Sequence, residues 1–381
     1  MNRYLAFLNN YDIRPCKAQY LWWFYYLQDH LPETYFVVNE DYMKVDPNRW
    51  EVAKYETAPY KYRNPKELHP KNYSILRRIN EYPELKSEKI PSKILKKAMT
   101  EPLPFLTVEL DKILESEKDI VAAIVWCNNA SLEYSCKHHN IPVIHNESGG
   151  IRSPWFKDTC YFDFGGVNGN TEFDKRYKEF RKIAHKVKIL PREELLRIIT
   201  PEHNQEYLFK MMNTTPTYDC GVALQVDVDT NLLTFNKEVQ ETDVVNLAVK
   251  RFKKVVVRNH PLSSLGYIRP ASLGLGEVDN SKNAWEFISK CEWIYTLNSS
   301  TAFEAFLLGK KAVILGDNPF YSLQYWNDNP EEMTLALNFA IFSYLMPTKR
   351  LYDEGYYTFR LNCEDEEEIY NEGQKYWLEN M

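Results

Sequence analysis

Residues 291–315 read CEWIYTLNSSTAFEAFLLGKKAVIL, and this stretch decides the fold class. A β-rich run at Trp293–Leu297 is followed by an apolar helical segment at Ala302–Leu308 and by a second β-rich run at Ala312–Leu315. Gly309 ends the helix, because glycine readily adopts the left-handed conformation found at helix C-termini. The stretch therefore predicts a strand–helix–strand unit of a parallel sheet.

The same alternation of strands and helices recurs along the chain. Further β-rich runs occur at Arg3–Leu8, Thr34–Val38, Asp119–Trp126, Ile141–His145, Val222–Val226 and Lys254–Arg258. The run at Asp119–Trp126 is almost wholly apolar, which is typical of a strand buried on both faces of a parallel sheet. We therefore expect an α/β fold with two Rossmann-type, doubly wound parallel sheets.

The length of 381 residues favours two domains. We predict an N-terminal Rossmann-like domain over residues 1–212 and a C-terminal one over residues 213–381, whose last helices can cross back. The stretch at about residues 41–90 is rich in Pro, Tyr and Lys and is predicted to be a loop-rich insertion with one helix near Tyr73–Asn80. Residues 151–175 are expected to be irregular. Two such domains facing each other would enclose a cleft.

Composition excludes several classes of protein. A chain with 44% hydrophobic residues is not mainly disordered, and a net charge of −6 argues against a nucleic-acid-binding protein. No pair of the seven cysteines has CxxC spacing, so we predict neither a zinc site nor a disulfide framework, and a cytoplasmic location. No apolar run approaches about 18 residues, so at most a peripheral membrane contact is expected. The 14% aromatic residues are expected to form core.

Polar clusters follow the predicted strands, where ligands of parallel sheets bind. Ser299, Ser300 and Thr301 precede a helix, and free N–H groups there would favour a phosphate; the alternative is an ordinary helix cap. His260 and Pro261 end another strand, so the imidazole could donate to a nucleotide phosphate or ribose, or be structural. These two clusters predict a nucleotide site.

Carboxylates end two further strands. Asp227 and Asp229 could form a DxD metal site, the acid pair of a haloacid-dehalogenase-type phosphatase, or one catalytic carboxylate beside a bystander. The phosphatase motif requires Thr or Val at position 231, which is Asn here, and the DxD site suits a one-sheet architecture. We favour Asp229 as a single catalytic carboxylate. Glu147 precedes Gly149 and would supply the second carboxylate that glycosyl chemistry needs, or would merely cap a turn.

The combination of segments resembles the bacterial capsule-polysaccharide-synthesis family of β-Kdo transferases, the KpsC and KpsS relatives. The matching segments are Gln225–Asp229, His260-Pro261, Ser299–Ala305, Gly309-Lys310 and Gly316 with Pro319-Phe320-Tyr321. The segments Glu147–Arg152 and Asp163–Asn168 are also similar to the family, so the resemblance covers about residues 119–325. Ala302 replaces the usual glycine of the family, and Ser322-Leu323-Gln324 replaces its usual Trp-Gly.

The resemblance implies a GT-B-like fold and transfer of Kdo from CMP-Kdo, with retention, onto a surface glycan or glycolipid. It implies Asp229 as the nucleophile and Glu147 as the proton-transfer residue. Because CMP is an anionic leaving group whose charge His260 and the helix start at Ser299 could stabilise, we expect no metal or other cofactor. The residues implied or proposed for donor binding are His260, Ser299, Ser300, Thr301, Glu304, Arg152 and Arg258, the two arginines being candidates for the donor carboxylate.

Two alternatives remain. An inverting, sialyltransferase-like enzyme would also use an HP motif and hydroxyls at the nucleotide phosphate, but would form no covalent adduct. A non-catalytic protein that binds a glycan or nucleotide would need no carboxylate in the cleft.

Overall fold

The structure is a computed structural model, and it describes residues 3–9, 21–31, 33–40, 43, 72–226, 229–260 and 276–380. The described chain forms two compact units. The first comprises residues 1–147, 162–166 and 349–362, and the second comprises residues 148–161, 167–348 and 363–381. Residues 212 and 213, between which the domain boundary is predicted, both lie in the second unit.

The first sheet has seven described strands, in the order β12-β6-β5-β4-β1-β2-β3. These strands are β1 (Arg3–Phe7), β2 (Thr34–Asn39), β3 (Tyr73–Leu76), β4 (Ile120–Trp126), β5 (Val143–Ser148), β6 (Thr159–Asp163) and β12 (Leu345–Pro347). Strand β1 pairs in parallel with β2 and β4, whereas the edge strand β12 runs antiparallel to β6. Strand β4 is central because its apolar residues bury both faces, as its sequence predicts.

The second sheet is parallel throughout its described strands, in the order β11-β10-β7-β8-β9. Its strands are β7 (Tyr218–Ala223), β8 (Val255–Arg258), β9 (Glu277–Val278), β10 (Cys291–Thr296) and β11 (Lys311–Ile314). The predicted α/β fold with two Rossmann-type parallel sheets is therefore confirmed. Strand β7 begins four residues before its predicted start, so Gln225 lies in the loop beyond it.

Fourteen α-helices are described. They are α1 (Leu21–His30), α2 (Pro91–Thr100), α3 (Pro104–Ser116), α4 (Ala130–His138), α5 (Phe173–Ile183), α6 (Arg192–Ile199), α7 (Glu202–Met212), α8 (Thr230–Thr234), α9 (Glu241–Arg251), α10 (Ala284–Ser289), α11 (Thr301–Leu307), α12 (Pro330–Phe339), α13 (Glu354–Asn362) and α14 (Glu366–Glu379). Among the described helices, none has both the length and the apolar composition that a bilayer span needs.

Two local predictions are wrong. The stretch near Tyr73–Asn80 is not a helix, because Tyr73–Leu76 pairs in parallel with β2 and only Ile79–Glu81 forms a short 3₁₀ turn. The region 151–175 is not wholly irregular, because Thr159–Asp163 forms β6. Both strands are short, and their sheet pairing supplies the stabilisation that local sequence lacks. Of the predicted insertion at about residues 41–90, the structure describes residue 43 and residues 72–90, and the remainder lies outside the described residues.

Aromatic residues of the second unit form a continuous core. The Phe173 ring centroid lies 5.2 Å from that of Phe339, 5.0 Å from that of Tyr344 and 5.4 Å from that of Phe320, all in edge-to-face geometry. Phe180 packs on Phe339 at 5.2 Å. These spacings are those of favourable aromatic pairs. The prediction that the high aromatic content serves the core is met here.

Candidate functional site

The loop after β10 carries the three predicted hydroxyl residues, and two of them hold the loop itself. Ser299 Oγ accepts a hydrogen bond from the Thr301 backbone N–H at 3.2 Å and lies 3.0 Å from Thr301 Oγ1. The hydroxyl of Ser300 forms no hydrogen bond with any described residue, although Ser300 is the N-cap of α11. Ser300 is therefore the residue of the three whose hydroxyl is open to a ligand.

The backbone N–H groups at this helix start are more engaged than the sequence suggests. Ser300 already has right-handed helical backbone angles, with φ at −60° and ψ at −16°. As a result, Ala302 N–H donates to Ser299 O at 3.3 Å and Phe303 N–H donates to Ser300 O at 2.9 Å. The expectation of a row of free N–H groups is thus not met in this loop, so a phosphate would depend chiefly on hydroxyls.

A buried asparagine joins this loop to the loop that follows β7. Asn298 is 4% exposed, and its backbone N–H donates to Gln225 Oε1 at 3.1 Å. Its side-chain Nδ2 donates to Asn231 O at 3.0 Å and Phe235 O at 3.3 Å. The sequence motifs predict neither residue as a site residue, although Gln225 begins a recognised segment and Asn298 directly precedes the segment Ser299–Ala305. These hydrogen bonds fix Gln225 and Asn231 relative to residues 297–300, which are called the serine loop.

Asp229 is the N-cap of α8. Its Oδ1 accepts hydrogen bonds from the N–H groups of Asn231 at 2.8 Å and Leu232 at 3.4 Å. Asn168 Nδ2 donates to Asn231 Oδ1 at 2.5 Å, so the DFGGVN segment contributes to the same loop. The capping role and a catalytic role are compatible, because two N–H donors to one oxygen fix the orientation of the carboxylate and leave its other oxygen available. Asp227 lies outside the described residues.

Glu147 belongs to the first unit and lies near the end of β5. Its Oε2 accepts a hydrogen bond from Cys127 Sγ at 2.6 Å. Two residues earlier on the strand, buried His145 lies with Nδ1 3.1 Å from Asp163 O and with Nε2 3.2 Å from Glu133 Oε1. The carboxyl end of β5 therefore presents a hydrogen-bonded carboxylate that sequence reasoning places in a catalytic role.

The two glycines after Glu147 are required for packing. A Cβ atom at Gly149 would lie 2.2 Å from Thr159 Oγ1, and one at Gly150 would lie 2.8 Å from Phe320 and 2.9 Å from Phe303. Adjacent glycines can let a ligand approach the backbone closely, but here neighbouring side chains occupy that space.

A carboxyl group and two arginines lie close together in the second unit. Burial raises the pKa of Glu304 to about 7, and the positive charges of Arg152 and Arg258 oppose that rise, as does the indole N–H of Trp285. Arg258 Nη1 is paired with the buried Asp279 carboxylate at 2.5 Å. Arg152 is exposed and forms no ion pair with the described residues. Arg152 is thus the better placed of the two arginines to meet an external anion.

The sequence-predicted residues are therefore distributed over both units. Asp229, Ser299, Ser300 and Thr301 lie on loops of the second sheet that Asn298 joins. His260 follows β8 of the same sheet and is partly exposed, whereas Pro261 lies outside the described residues. The catalytic and binding roles of these residues stay predictions.

Comparison with known proteins finds a family match in the N-terminal part. Residues 6–172 match the Glycosyltransferase 99 family N-terminal domain, in agreement with the predicted resemblance to a glycosyltransferase family. No curated protein matches the chain significantly.

Solved structures with distant similarity include two enzymes that act on Kdo. The Thermosulfurimonas dismutans KpsC β-Kdo 2,7-transferase is 16% identical, with 63% of this chain and 82% of that chain covered and a TM-score of 0.40. The β-Kdo 2,4-transferase of the same organism is 13% identical, with 60% and 81% covered and a TM-score of 0.36. A UDP complex of Staphylococcus aureus MnaA is 12% identical over 96% and 99% of the chains, with a TM-score of 0.32.

Proposed function

We propose that this chain, of which residues 6–172 match the Glycosyltransferase 99 family N-terminal domain, transfers a ulosonic acid, Kdo, from CMP-Kdo to a surface-glycan or glycolipid acceptor. The observation that carries the proposal is the junction of two loops by Asn298. Asn298 hydrogen-bonds to Asn231, which adjoins the capped carboxylate of Asp229, and it lies two residues before the open hydroxyl of Ser300. A nucleotide-sugar transferase needs such a pair, one group for the sugar and one for the phosphate.

The protein would bind the donor through the donor's two anionic groups, the CMP phosphate and the carboxylate of the sugar acid. Ser300 Oγ would donate to the CMP phosphate, and His260 would donate to the phosphate or to the ribose. Arg152 would pair with the carboxylate of the sugar acid, because guanidinium binds carboxylate through two parallel hydrogen bonds. CMP leaves as a stable anion, so these donors need only stabilise its charge, and no metal ion is required.

Two displacements would account for transfer with retention. In the first, a carboxylate oxygen of Asp229 forms a bond to the anomeric carbon as the bond from that carbon to the CMP phosphate oxygen breaks. In the second, the acceptor hydroxyl attacks the same carbon, Glu147 accepts the hydroxyl proton, and the bond to Asp229 breaks. The N–H groups of Asn231 and Leu232 support the first step, because their hydrogen bonds fix the orientation of the Asp229 carboxylate.

The rival mechanism is a single displacement with inversion, as in sialyltransferase-like enzymes. In that mechanism Glu147 or Asp229 would act only as a general base, and no sugar would become attached to the protein. A non-catalytic binding protein would release no CMP at all.

The decisive experiment traps the covalent intermediate. The Glu147→Gln variant is incubated with CMP-Kdo and examined by intact mass spectrometry and peptide mapping. We expect a mass increase of one Kdo residue that maps to Asp229, because CMP departs without protonation while the second step stalls. An adduct on another residue would refute the role of Asp229. CMP release without any adduct would favour the single displacement.

A matched pair of variants isolates the nucleophile. Asp229→Asn should lower turnover by about 10³-fold or more while CMP binding persists. Asp219 is the control, because it also accepts two backbone N–H bonds in the second unit, from Lys253 at 3.1 Å and Lys254 at 2.9 Å, but at the start of β7. Asp219→Asn should retain activity, and equal losses in both variants would indicate a merely structural effect.

A further inference from the structure

Five lysines form an exposed basic surface on the first unit. They are Lys86, Lys89, Lys93, Lys96 and Lys97, on α2 and the loop before it, and together they are called the lysine face. Four of the five are exposed and Lys97 is partly exposed. None forms an ion pair with a carboxylate in the described part of the chain. The surrounding stretch from residue 84 to 101 holds only three glutamates, although the whole chain has a net charge of −6.

Two of those glutamates accept hydrogen bonds from backbone N–H groups near the starts of two helices. Glu88 Oε1 accepts hydrogen bonds from Lys89 N and Ile90 N, both at 2.9 Å, immediately before α2. Glu84 Oε1 accepts a hydrogen bond from Phe105 N at 2.7 Å, in the first turn of α3. These carboxylates satisfy unpaired helix N–H groups, and neither forms an ion pair with a lysine side chain. The hydrogen bond from Ile90 N–H lowers the pKa of Glu88, and the charges of Lys93 and Lys97 add to that lowering, so Glu88 offsets part of the lysine charge. With five lysines against three glutamates in residues 84–101, the lysine face keeps a net positive charge.

Large apolar side chains are exposed in the same part of the unit. Ile90 is 46% exposed at the N-cap of α2, and Phe105 and Val108 are 53% and 51% exposed, one turn apart on α3. The hydrogen bond from Phe105 to Glu84 ties the start of α3 to the loop that begins the lysine face. Unpaired cations with exposed aliphatic and aromatic side chains are the features by which peripheral proteins bind anionic bilayers.

We propose that the lysine face, with Ile90 and Phe105, binds the surface of an anionic lipid bilayer. The lysines would attract the headgroup phosphates, and the two apolar side chains would enter the headgroup–acyl boundary. A nucleic acid would be attracted by the lysines but would offer no apolar phase to Ile90 and Phe105, which is why the bilayer is favoured. The inference goes beyond the proposed transferase activity, and its test uses neither donor nor acceptor.

The test is co-sedimentation of the full chain with phosphatidylcholine vesicles, with or without phosphatidylglycerol. We expect binding only to the anionic vesicles, and its loss at high salt because screening weakens surface charges. The variant Lys89→Gln/Lys93→Gln/Lys96→Gln should bind on the order of 100-fold more weakly, since each lysine near an anionic surface contributes about fivefold. Circular dichroism confirms that the variants are folded.

The matched control removes the same charge from the second unit. Lys250, Lys253 and Lys254 are exposed near the end of α9, and changing all three to Gln should leave vesicle binding unchanged. A second variant, Ile90→Ser/Phe105→Ser, should weaken vesicle binding without altering its salt dependence. Failure of the wild type to bind anionic vesicles, equal loss in the control variant, or stronger binding to duplex DNA than to vesicles would each overturn the proposal.

Discussion

The replacement Glu304→Gln tests the electrostatics of the candidate donor site. Glu304 lies on α11, in the first turn after the serine loop, and burial raises its pKa from 4.5 to about 7 in the folded chain. In the unfolded chain the carboxyl group ionises near 4.5. Between these two values the folded protein holds a proton that the unfolded chain has released, so stability must fall as the pH rises.

The size of this effect follows from the two pKa values. Ionising Glu304 in the folded state costs about 3 kcal/mol more than ionising it in the unfolded state. The penalty grows between about pH 4.5 and pH 7 and is constant above that range. The Gln variant carries no such penalty, so its stability relative to the wild type should increase by about 3 kcal/mol from the acidic to the alkaline end of this window.

The measurement is urea unfolding of the wild type and the variant at several pH values from about 5 to 8. Only the difference between the two proteins is interpreted, because other titrating groups cancel in it. Glu292→Gln, at an exposed position on β10 of the same sheet, is the control and should show no such trend. A difference between wild type and Glu304→Gln that does not vary with pH would refute the reasoning.

Ionisation of Glu304 should also change the affinity of the protein for the donor. Once ionised, Glu304 is attracted to Arg152 and would compete with an anionic ligand for that guanidinium. We therefore expect the calorimetric affinity for CMP-Kdo to decrease as the pH rises through about 7, and to vary less in Glu304→Gln. An equal pH dependence in both proteins would separate Glu304 from donor binding.

Three further outcomes are expected. Ser300→Ala should weaken CMP binding about tenfold in calorimetric titration with unchanged thermal stability, because its hydroxyl is open, and unaltered affinity would refute that assignment. Arg176→Met should cost about 3–5 kcal/mol in urea unfolding, because it leaves Glu366 buried without its ion-pair partner; replacing both residues by apolar ones should restore most of the loss. Release of CMP from CMP-Kdo should survive chelation with EDTA, whereas loss that Mn²⁺ restores would support a metal site.

The strands that could be predicted from the sequence are those whose own residues favour a buried β-strand without reference to a pairing partner. Ile120–Trp126 and Cys291–Thr296 are apolar runs bounded by polar turns, and they lie in the interior of their sheets. Tyr73–Leu76 and Thr159–Asp163 could not be predicted in this way. Tyr73–Leu76 has a mostly exposed surface and becomes a strand only by pairing with Thr34–Asn39. Thr159–Asp163 likewise becomes a strand by pairing on both sides, with Val143–Ser148 and with Leu345–Pro347.

The alternation of strands and helices, and with it the position of the polar motifs at strand ends, can be predicted from residue composition and spacing, because both depend on neighbouring residues. Tertiary structure decided how those motifs are used. The contacts of Asn298 with Gln225 and Asn231 join residues more than sixty positions apart, and the pKa of Glu304 depends on burial and on Arg152. Hydrogen-bond geometry and desolvation act through space, so residue type and spacing along the chain cannot reveal them.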